Sequence, residues 1–527
     1  MTRLFLVLAT LLLGTATPAA AATNDDIDGY VRAYLDHTGL PGAAVAVTRG
    51  GDVVRVAGYG HDASGAPLTA STRLPIASLS KSMTAFAVLQ LVEAGRIELD
   101  APVPRYLPEF RLADPRGARI TVRMLLDQTS GMADSAFPDL KLPQPHTLAE
   151  AVGRLRDAGL ASEPGAEFHY HNPNYEVAAR IVEVVAGQPF AEYLRTRLFA
   201  PLGMTSSATV DAPPTGTGGY VRAFGFEVPV TEPDWFTGGS HGVLTTAEDL
   251  AKWLAAQRDG GGVLAPASNA LAHTPAPGRD YALGWTVRAG QVAHTGEWFS
   301  HTAAQILLPD GYGVAVVTPM GMALDNEAEL LAQGLATLVQ GGSPEPALPA
   351  GVVADRVLAA LALITVGLAV VGVRRARRKP RWWRVVPPVL PLVPLVFLPQ
   401  LLGVVFAGRR GTYAQVLYVW PGLVAVLGVV ALAGLTVAVA RARALVSGTR
   451  GRNQEESGET RGDAQWASAN RRRGSRSWWR AASCWWSGCC CSSCPAPASC
   501  SCWRGCCCSR RSSRRSSGTS TPCATAR

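Results

Sequence analysis

Alternating apolar and polar positions predict β-strands in two parts of the chain that lie far apart. Residues 42–60, GAAVAVTRGGDVVRVAGYG, predict two strands joined by a tight turn at Gly50 and Gly51. Three more strands are predicted at residues 281–296, 303–309 and 311–319. Helical spacing dominates between the two groups and returns at residues 322–340. We therefore predict one antiparallel sheet built from both ends of a domain, with a helical region inserted between them.

Three apolar runs without a charged side chain follow this domain and predict transmembrane helices. They cover residues 357–373, 385–407 and 416–440. Each is close to the roughly 20 residues that a helix needs to cross a bilayer. Five prolines in the second run predict a kinked or broken span: Pro387, Pro388, Pro391, Pro394 and Pro399. Residues 341–356, which are rich in Pro and Gly, predict a linker between a domain of residues 24–340 and three transmembrane helices within residues 357–440.

The N-terminal segment and one basic loop predict the orientation of the membrane region. Residues 1–22 have the pattern of a secretory signal peptide, with Arg3, an apolar core and small residues up to Ala22. The apolar core is too short for a membrane anchor. Residues 374–384 hold seven basic side chains, which the positive-inside rule assigns to the cytoplasm. The sequence thus predicts a multi-pass cell-membrane protein with its large domain outside the cytoplasm.

Charge and cysteine divide the chain into two parts. Residues 1–373 hold 24 basic and 36 acidic side chains, whereas residues 374–527 hold 25 and 4. The basic excess therefore belongs to the C-terminal part, and no nucleic-acid partner is expected. All 11 cysteines lie between Cys484 and Cys523, so the large domain must be stable without disulfides.

The last segment, residues 441–527, is basic and rich in Ser, Arg and Cys, without hydrophobic periodicity. We expect a disordered tail. A frame-shifted read-through is a second hypothesis, because the composition changes abruptly near residue 451. A metal-binding cysteine cluster is disfavoured, because the cysteine spacing is irregular and no histidine lies near it.

The stretch LPIASLSKSMTAF, residues 74–86, places Lys81 one helical turn after Ser78. The chain has only four lysines against 45 arginines. A lysine whose pKa is lowered can take the proton of a serine hydroxyl, whereas an arginine keeps its own proton. The structural alternative is a serine that caps a helix, followed by a solvated lysine. Ser-x-x-Lys alone does not decide between them.

Two further motifs carry candidate chemistry. Tyr170 and Asn172 precede a helical pattern, where the hydroxyl could pass a proton to a leaving group and the amide could orient a substrate. His294, Thr295 and Gly296 end a predicted strand, whose backbone N–H groups could bind an oxyanion. Each motif also has a structural alternative: a tyrosine packed on the core, an N-capping asparagine and an ordinary strand–turn junction.

The order Ser-x-x-Lys, Tyr-x-Asn, His-Thr-Gly resembles the serine β-lactamase and penicillin-binding protein superfamily. Its class C branch, with the D-alanyl-D-alanine carboxypeptidases and related esterases, fits best. Three other stretches also look like that family: MLLDQTSGM at 124–132, LFAPLGM at 198–204 and GGSHGVLTTAEDLAKWL at 238–254. The likeness covers roughly residues 27–340. It implies an α/β (α+β) fold in which an antiparallel sheet is flanked by helices and joined by an all-helical subdomain, with the cleft between them.

The resemblance also implies the roles of individual residues. Ser78 is expected to be the acylated nucleophile, and Lys81 and Tyr170 are expected to share general acid–base catalysis. Substrate binding is expected at Asn172, His294, Thr295, Gly296 and Glu297. The N–H groups of Ser78 and Glu297 are expected to form an oxyanion hole. Neither a metal nor a cofactor is implied, and the expected partner is a small-molecule or peptide substrate.

Two departures from the family pattern change the expected specificity. His294 stands where penicillin-binding members have a lysine, and a histidine is mostly neutral at pH 7. We therefore predict weaker recognition of carboxylate substrates and a better match to esters, amides or modified peptides. Glu297, Trp298 and Phe299 replace the Pro-Gly-Phe turn of many relatives, so the rim of the cleft is expected to differ.

These observations favour a membrane-anchored extracytoplasmic serine hydrolase that works through an acyl-enzyme on ester or amide substrates, including peptides and β-lactam-like compounds. Esterase, D-alanyl-D-alanine carboxypeptidase and β-lactamase activities all fit this expectation. The alternative is a sensor that binds penicillin or a cell-wall ligand with little turnover. A third hypothesis gives the membrane spans their own transport role. It is the least favoured, because the three runs contain no Asp, Glu, Lys, Arg or His.

Overall fold

The computed structural model describes residues 22–376, 381–405 and 412–448. Residues 1–21 of the predicted signal peptide and the predicted tail from residue 449 onward therefore lie outside the described residues.

A six-stranded antiparallel sheet lies at the centre of the N-terminal domain, with the strand order β2-β1-β11-β10-β9-β8. The strands of the domain are β1 (Gly42–Arg49), β2 (Asp52–Gly60), β3 (Leu74–Pro75), β4 (Ala208–Thr209), β5 (Gly218–Ala223), β6 (Phe226–Thr231), β7 (Val243–Thr245), β8 (Thr286–Arg288), β9 (Gln291–Glu297), β10 (Thr302–Leu307) and β11 (Tyr312–Thr318). Strands from the two ends of the domain meet where β1 pairs with β11. The predicted antiparallel sheet is therefore confirmed.

Helices cover both faces of this sheet and fill the inserted region. They are α1 (Asn24–Thr38), α2 (Ser80–Glu93), α3 (Val122–Leu126), α4 (Leu148–Gly153), α5 (Asn172–Ala186), α6 (Phe190–Leu194), α7 (Ala247–Ala256), α8 (Pro266–Ala272) and α9 (Glu327–Val339). α1 and α9 share one buried apolar cluster with the sheet, and α2, α5 and α7 share a second. α2 is buried on all sides in the interior of the domain, since ten consecutive residues from Ser80 to Leu89 are buried.

The structure also contains strands that the sequence pattern did not separate. Residues 281–296 were expected to form one strand, but they form the hairpin of β8 and β9, with Ala289 in the left-handed region at its turn. A three-stranded sheet, β3-β7-β4, and a two-stranded sheet, β5-β6, were not expected. The strands of the first of these sheets, with two or three residues each, are too short to give a periodic signal.

Two long apolar helices follow the domain: α10 (Ala350–Arg375) and α14 (Pro421–Gly448). Both are long and apolar enough to cross a membrane. The proline-rich run between them is divided into 3-10 turns at Trp382–Val385 and Pro387–Val389 and the short helices α11 (Leu392–Val396) and α12 (Leu398–Val405); α13 (Tyr413–Val419) follows. Three spanning helices are therefore not confirmed, because the described residues contain two. α10 begins at Ala350, inside the segment expected to be a linker.

Candidate active site

Ser78 lies on a 3-10 turn, Ala77–Leu79, directly before α2. Ala77 has a φ of 49°, a left-handed conformation that residues with a Cβ rarely adopt. The sharp turn leaves Ser78 partly exposed, although the residues on either side of it are buried. Such strained backbone is concentrated at functional sites. Nothing in the sequence pattern signalled it.

Lys81 is fully buried one turn along from Ser78. Its Nζ lies 3.0 Å from Ser78 Oγ, 3.0 Å from Asn172 Oδ1 and 3.0 Å from the carbonyl oxygen of Ser240. Ser240 lies in the GGSHGVLTT stretch that resembles the family, but a backbone carbonyl has no sequence signal. The sequence analysis therefore missed this contact.

These three neighbours determine where a neutral Lys81 would point its lone pair. A neutral amine keeps two N–H donors and one lone pair. The oxygens of Asn172 and Ser240 can only accept hydrogen bonds, so they take the two donors. The lone pair is then left for Ser78, whose hydroxyl can donate as well as accept. The arrangement can therefore move the Ser78 proton to Lys81.

Tyr170 and Asn172 reach the same place from the start of α5. Asn172 is the first residue of that helix and is buried, while Tyr170 is partly exposed in the segment before it. Lys81 Nζ lies 4.8 Å from the centroid of the Tyr170 ring. The structure thus brings Ser78, Lys81, Tyr170 and Asn172 together from the starts of α2 and α5, two segments that are far apart in sequence.

The strand β9 brings the third motif against the nucleophile. Gly296 lies so close to the turn before Ser78 that a Cβ there would be 2.4 Å from the carbonyl oxygen of Ile76. Only glycine allows this approach without a shift of the backbone. Residues 294–297 extend beyond the last residue of β9 paired with β8, which is Ala293.

The ladder between β9 and β10 indicates the direction of the Glu297 backbone. Trp298 N–H donates to the His301 carbonyl oxygen, and Glu297 faces Thr302 in the next pair. Hydrogen-bonded and non-bonded pairs alternate in an antiparallel ladder. The Glu297 N–H therefore points away from β10, toward the edge of β9 that β8 no longer covers.

His294 is buried and uncharged at neutral pH. Burial, together with the nearby charge of Lys81, lowers the pKa of His294 to about 3. Burial raises the pKa of Tyr281 far above its ordinary value, so its hydroxyl stays protonated and donates to His294 Nε2 over 3.0 Å. His294 Nδ1 then carries the proton and donates to the Thr295 carbonyl oxygen. Tyr281 was missed, and its place beside His294 has no sequence signal.

A second group of titratable side chains lies beneath the cleft. His171 Nδ1 is 2.9 Å from Asp134 Oδ1, and Asp139 offers a carboxylate oxygen within 4.8 Å of both. Burial and the charge of Asp139 raise the pKa of Glu176 to about 8, so Glu176 holds a proton at pH 7. Carboxylates and imidazole can also hold a divalent cation, and the absence of a metal stays a prediction.

A cleft of about 810 Å³ opens over Ser78 and the other candidate catalytic residues. This volume suits a small molecule or a short peptide. Its lining contains Ser78, Tyr170, His294, Thr295 and Glu297, together with Phe168, Arg279, Tyr281, Arg288 and Met322. The site residues expected from the sequence thus lie in the cleft or directly beneath it.

Replacing Asn172 with aspartate is expected to shift the acidic limb of the pH–rate profile for ester hydrolysis upward by about 1–3 units. The new carboxylate would stand 3.0 Å from Lys81 Nζ and stabilise its protonated form. The profile of kcat/KM between pH 5 and 10 measures the shift. Asn172→Ala is the control, since it should lower the rate without moving the limb upward. An unmoved limb in Asn172→Asp would contradict the proposed contact.

Comparison with known proteins agrees with this geometry. The β-lactamase family model matches residues 27–324, more than half of the 527 residues, and the chain belongs to this family. The predicted place in the serine β-lactamase and penicillin-binding protein superfamily is therefore confirmed.

Three similar proteins illustrate the relationship. Protein flp of Staphylococcus aureus strain N315 is 29% identical over 247 residues, which cover 44% of this chain and 49% of that protein. Penicillin-binding protein 4 of Amycolatopsis lactamdurans is 38% identical over 173 residues, or 32% of this chain and 45% of that protein. The octameric penicillin-binding protein homologue from Pyrococcus abyssi superposes with a TM-score of 0.53 at 26% identity, covering 63% of this chain and 81% of that chain. The chain spans about half the length of the curated relatives it matches.

Proposed function

We propose that the protein is a membrane-anchored extracytoplasmic serine hydrolase that forms an acyl-enzyme on ester or amide substrates. The observation that carries this proposal is the enclosure of Lys81 Nζ by Ser78, Asn172 and the Ser240 carbonyl, each at 3.0 Å. A solvated lysine beside a helix-capping serine would not be fully buried.

The reaction begins when neutral Lys81 takes the hydroxyl proton of Ser78 and Ser78 Oγ attacks the substrate carbonyl. The N–H groups of Ser78 and Glu297 stabilise the oxyanion that forms. Lys81 and Tyr170 return the proton to the leaving group as the bond to it breaks. Water then attacks the acyl-enzyme and releases the acid, and Ser78 regains its proton.

The site favours substrates without a carboxylate next to the reacting bond. His294 occupies the position of a cation in penicillin-binding members, and its pKa of about 3 leaves it neutral. Without a positive charge at this position, the site has less attraction for a carboxylate. Esters, amides and modified peptides are therefore the proposed substrates.

The direction of the two apolar helices supports a three-pass anchor. Asp355 near the start of α10 accepts a hydrogen bond from Trp420, just before α14. Further along, a Cβ on Gly372 would lie 3.1 Å from Val437 of α14. The helices therefore run side by side in the same direction. A chain that crosses a membrane twice in one direction must cross back between them, and we assign that crossing to residues 385–407.

Labelling and turnover by the full-length protein test the hydrolase. A fluorescent fluorophosphonate should label the wild type but not Ser78→Ala, and a short-chain nitrophenyl ester should be turned over repeatedly. One stable adduct per chain, without turnover, would instead support the sensor.

The ratio of two hydrolysis rates tests the proposed specificity. We expect kcat/KM for a short-chain nitrophenyl ester to exceed that for a chromogenic cephalosporin, because the cephalosporin carries a carboxylate. Ser78→Ala gives the background rate for each substrate. A strong preference for the cephalosporin would show that His294 does not limit carboxylate recognition.

A further inference from the structure

The start of the membrane anchor is hydrogen-bonded to the N-terminal domain. Asp355 of α10 is only 2% exposed. Its carboxylate accepts from the backbone N–H of Phe224, at the tip of the β5–β6 hairpin, over 2.6 Å. It also accepts from Trp420 Nε1 over 2.6 Å. This carboxylate therefore joins the hairpin to α10 and to the residue directly before α14.

The anchor also contacts the rim of the cleft at two places. Gly351 N–H donates to Asp325 Oδ2 over 3.1 Å, in the loop between β11 and α9 that also holds the cleft residue Met322. The Tyr418 ring of α13 lies 5.7 Å from the ring of Phe299, in the turn after Glu297. The anchor therefore contacts two segments that adjoin cleft-lining residues, one near Met322 and one near Glu297.

Two further hydrogen bonds extend the same interface. Tyr418 OH donates to the Thr231 carbonyl oxygen over 3.1 Å, at the end of the β5–β6 hairpin. Gln415 Nε2 donates to the Leu140 carbonyl oxygen over 3.1 Å. These bonds leave the domain little freedom to turn on its anchor.

The length of helix between these contacts and the lipid is short. Gly351 contacts the rim loop, and the uncharged apolar run begins six residues later at Val357. At 1.5 Å per residue, six residues of helix span about 9 Å. The headgroup layer on one side of a bilayer is about 5–7 Å thick. The rim of the cleft is thus placed at about the level of the headgroups.

Exposed apolar side chains lie on the hairpin beside this junction. Phe226 is 71% exposed and Val228 is also exposed, two and four residues after Phe224. An aromatic side chain at the boundary between water and lipid is stabilised when it enters the interface. The hairpin is therefore suited to lie on the membrane surface.

From these contacts we infer that the cleft opens at the membrane surface, and that the substrate is an ester or amide on a membrane-anchored amphiphile, with its reacting carbonyl at headgroup level. This inference rests on the proposed hydrolase function. It specifies that the reacting ester or amide is attached to a membrane-anchored molecule. The anchor of the protein then helps to select the substrate.

The test compares one fluorogenic butyrate ester in two forms, free in water and coupled to a phospholipid headgroup. The full-length protein is reconstituted in phosphatidylcholine–phosphatidylglycerol vesicles that also carry the coupled ester. Phe226→Ser should lower hydrolysis of the coupled ester by about fivefold or more, because it removes apolar contact with the interface. Hydrolysis of the free ester should stay within about twofold of the wild type, since Phe226 is a surface residue outside the cleft lining.

Val53→Ser is the matched control, because Val53 is 59% exposed on β2. His61, directly after the end of β2, is hydrogen-bonded to Tyr220 of the hairpin. Val53 lies at the other end of β2, away from this contact. Val53→Ser should leave both rates unchanged. A second variant, Asp355→Asn, replaces one of the two acceptor oxygens by a donor and should selectively slow hydrolysis of the coupled ester.

The outcomes separate the two proposals. An equal loss on both esters in Phe226→Ser, or the same loss in Val53→Ser, would overturn the membrane orientation. Wild-type hydrolysis of the free ester without the coupled one would also overturn it and leave the hydrolase intact. If the wild type hydrolyses neither ester faster than Ser78→Ala, the hydrolase function fails, and this inference fails with it.

Discussion

Lys81→Arg is expected to lower kcat/KM for ester hydrolysis by about a thousandfold, within the range that a general base contributes. Arginine keeps a positive charge at the same place, but it cannot give up its proton to become a base. Its longer side chain must also fit a fully buried site enclosed by Ser78, Asn172 and Ser240. Single-turnover acylation by a nitrophenyl ester measures the effect directly.

Lys252→Arg is the control for this substitution. Lys252 of α7 is partly exposed, and its Nζ donates to Asp249 Oδ1 and to the Gly203 carbonyl oxygen. A permanent positive charge can make the same contacts. The rate of Lys252→Arg should stay within about twofold of the wild type, as for most surface substitutions. The double variant with Ser78→Ala and Lys81→Arg should be hardly slower than Ser78→Ala alone, because the two side chains act as a unit. More than a tenth of the wild-type rate in Lys81→Arg would rule out Lys81 as the base.

Gly296→Ala is expected to lower kcat by about a hundredfold or more, the loss typical of one missing oxyanion donor. The added methyl would stand 2.4 Å from the Ile76 carbonyl oxygen and 3.1 Å from Ala77 Cβ. β9 must then move away from Ser78, which separates the N–H groups of Ser78 and Glu297. Overpacking of this kind also costs about 1–3 kcal/mol of stability. Steady-state kinetics and thermal unfolding of the same preparation measure both effects.

Gly159→Ala is the matched control for the added methyl group. No heavy atom lies within 4 Å of a Cβ at Gly159, and its φ is not in the left-handed region. Both its activity and its unfolding temperature should match the wild type. If Gly296→Ala keeps full activity with reduced stability, β9 does not supply an oxyanion donor.

The sequence predicted those parts of the fold that depend on local periodicity and on residue chemistry. Strands such as β1, β2 and β11 alternate or run apolar over seven to nine residues, so their existence, the β1–β2 hairpin and a common antiparallel sheet could be expected. Lys81 could be singled out because a lysine does what an arginine cannot. The β5–β6 hairpin also has a sequence signal, the Phe224-Gly225 turn between its two strands, although the hairpin was not predicted.

The remainder depends on tertiary contacts that no local pattern records. The left-handed Ala77 and the Ser240 carbonyl become visible only when distant segments are packed together. The break in the second apolar run is different, because its five prolines predicted it and the described residues 385–405 form only short pieces. The supposed linker is helical from Ala350, and Gly351, Val352 and Asp355 of that stretch are buried.

The close junction between α10 and the domain has a practical consequence for biochemistry on this protein. A soluble fragment that ends near residue 345 would lack Gly351 and Asp355, the partners of Asp325 and Phe224. It would also leave Phe299 without its neighbour Tyr418. Rates measured on such a fragment would therefore describe an enzyme whose cleft lacks the contacts that the anchor makes with the neighbouring Asp325 and Phe299.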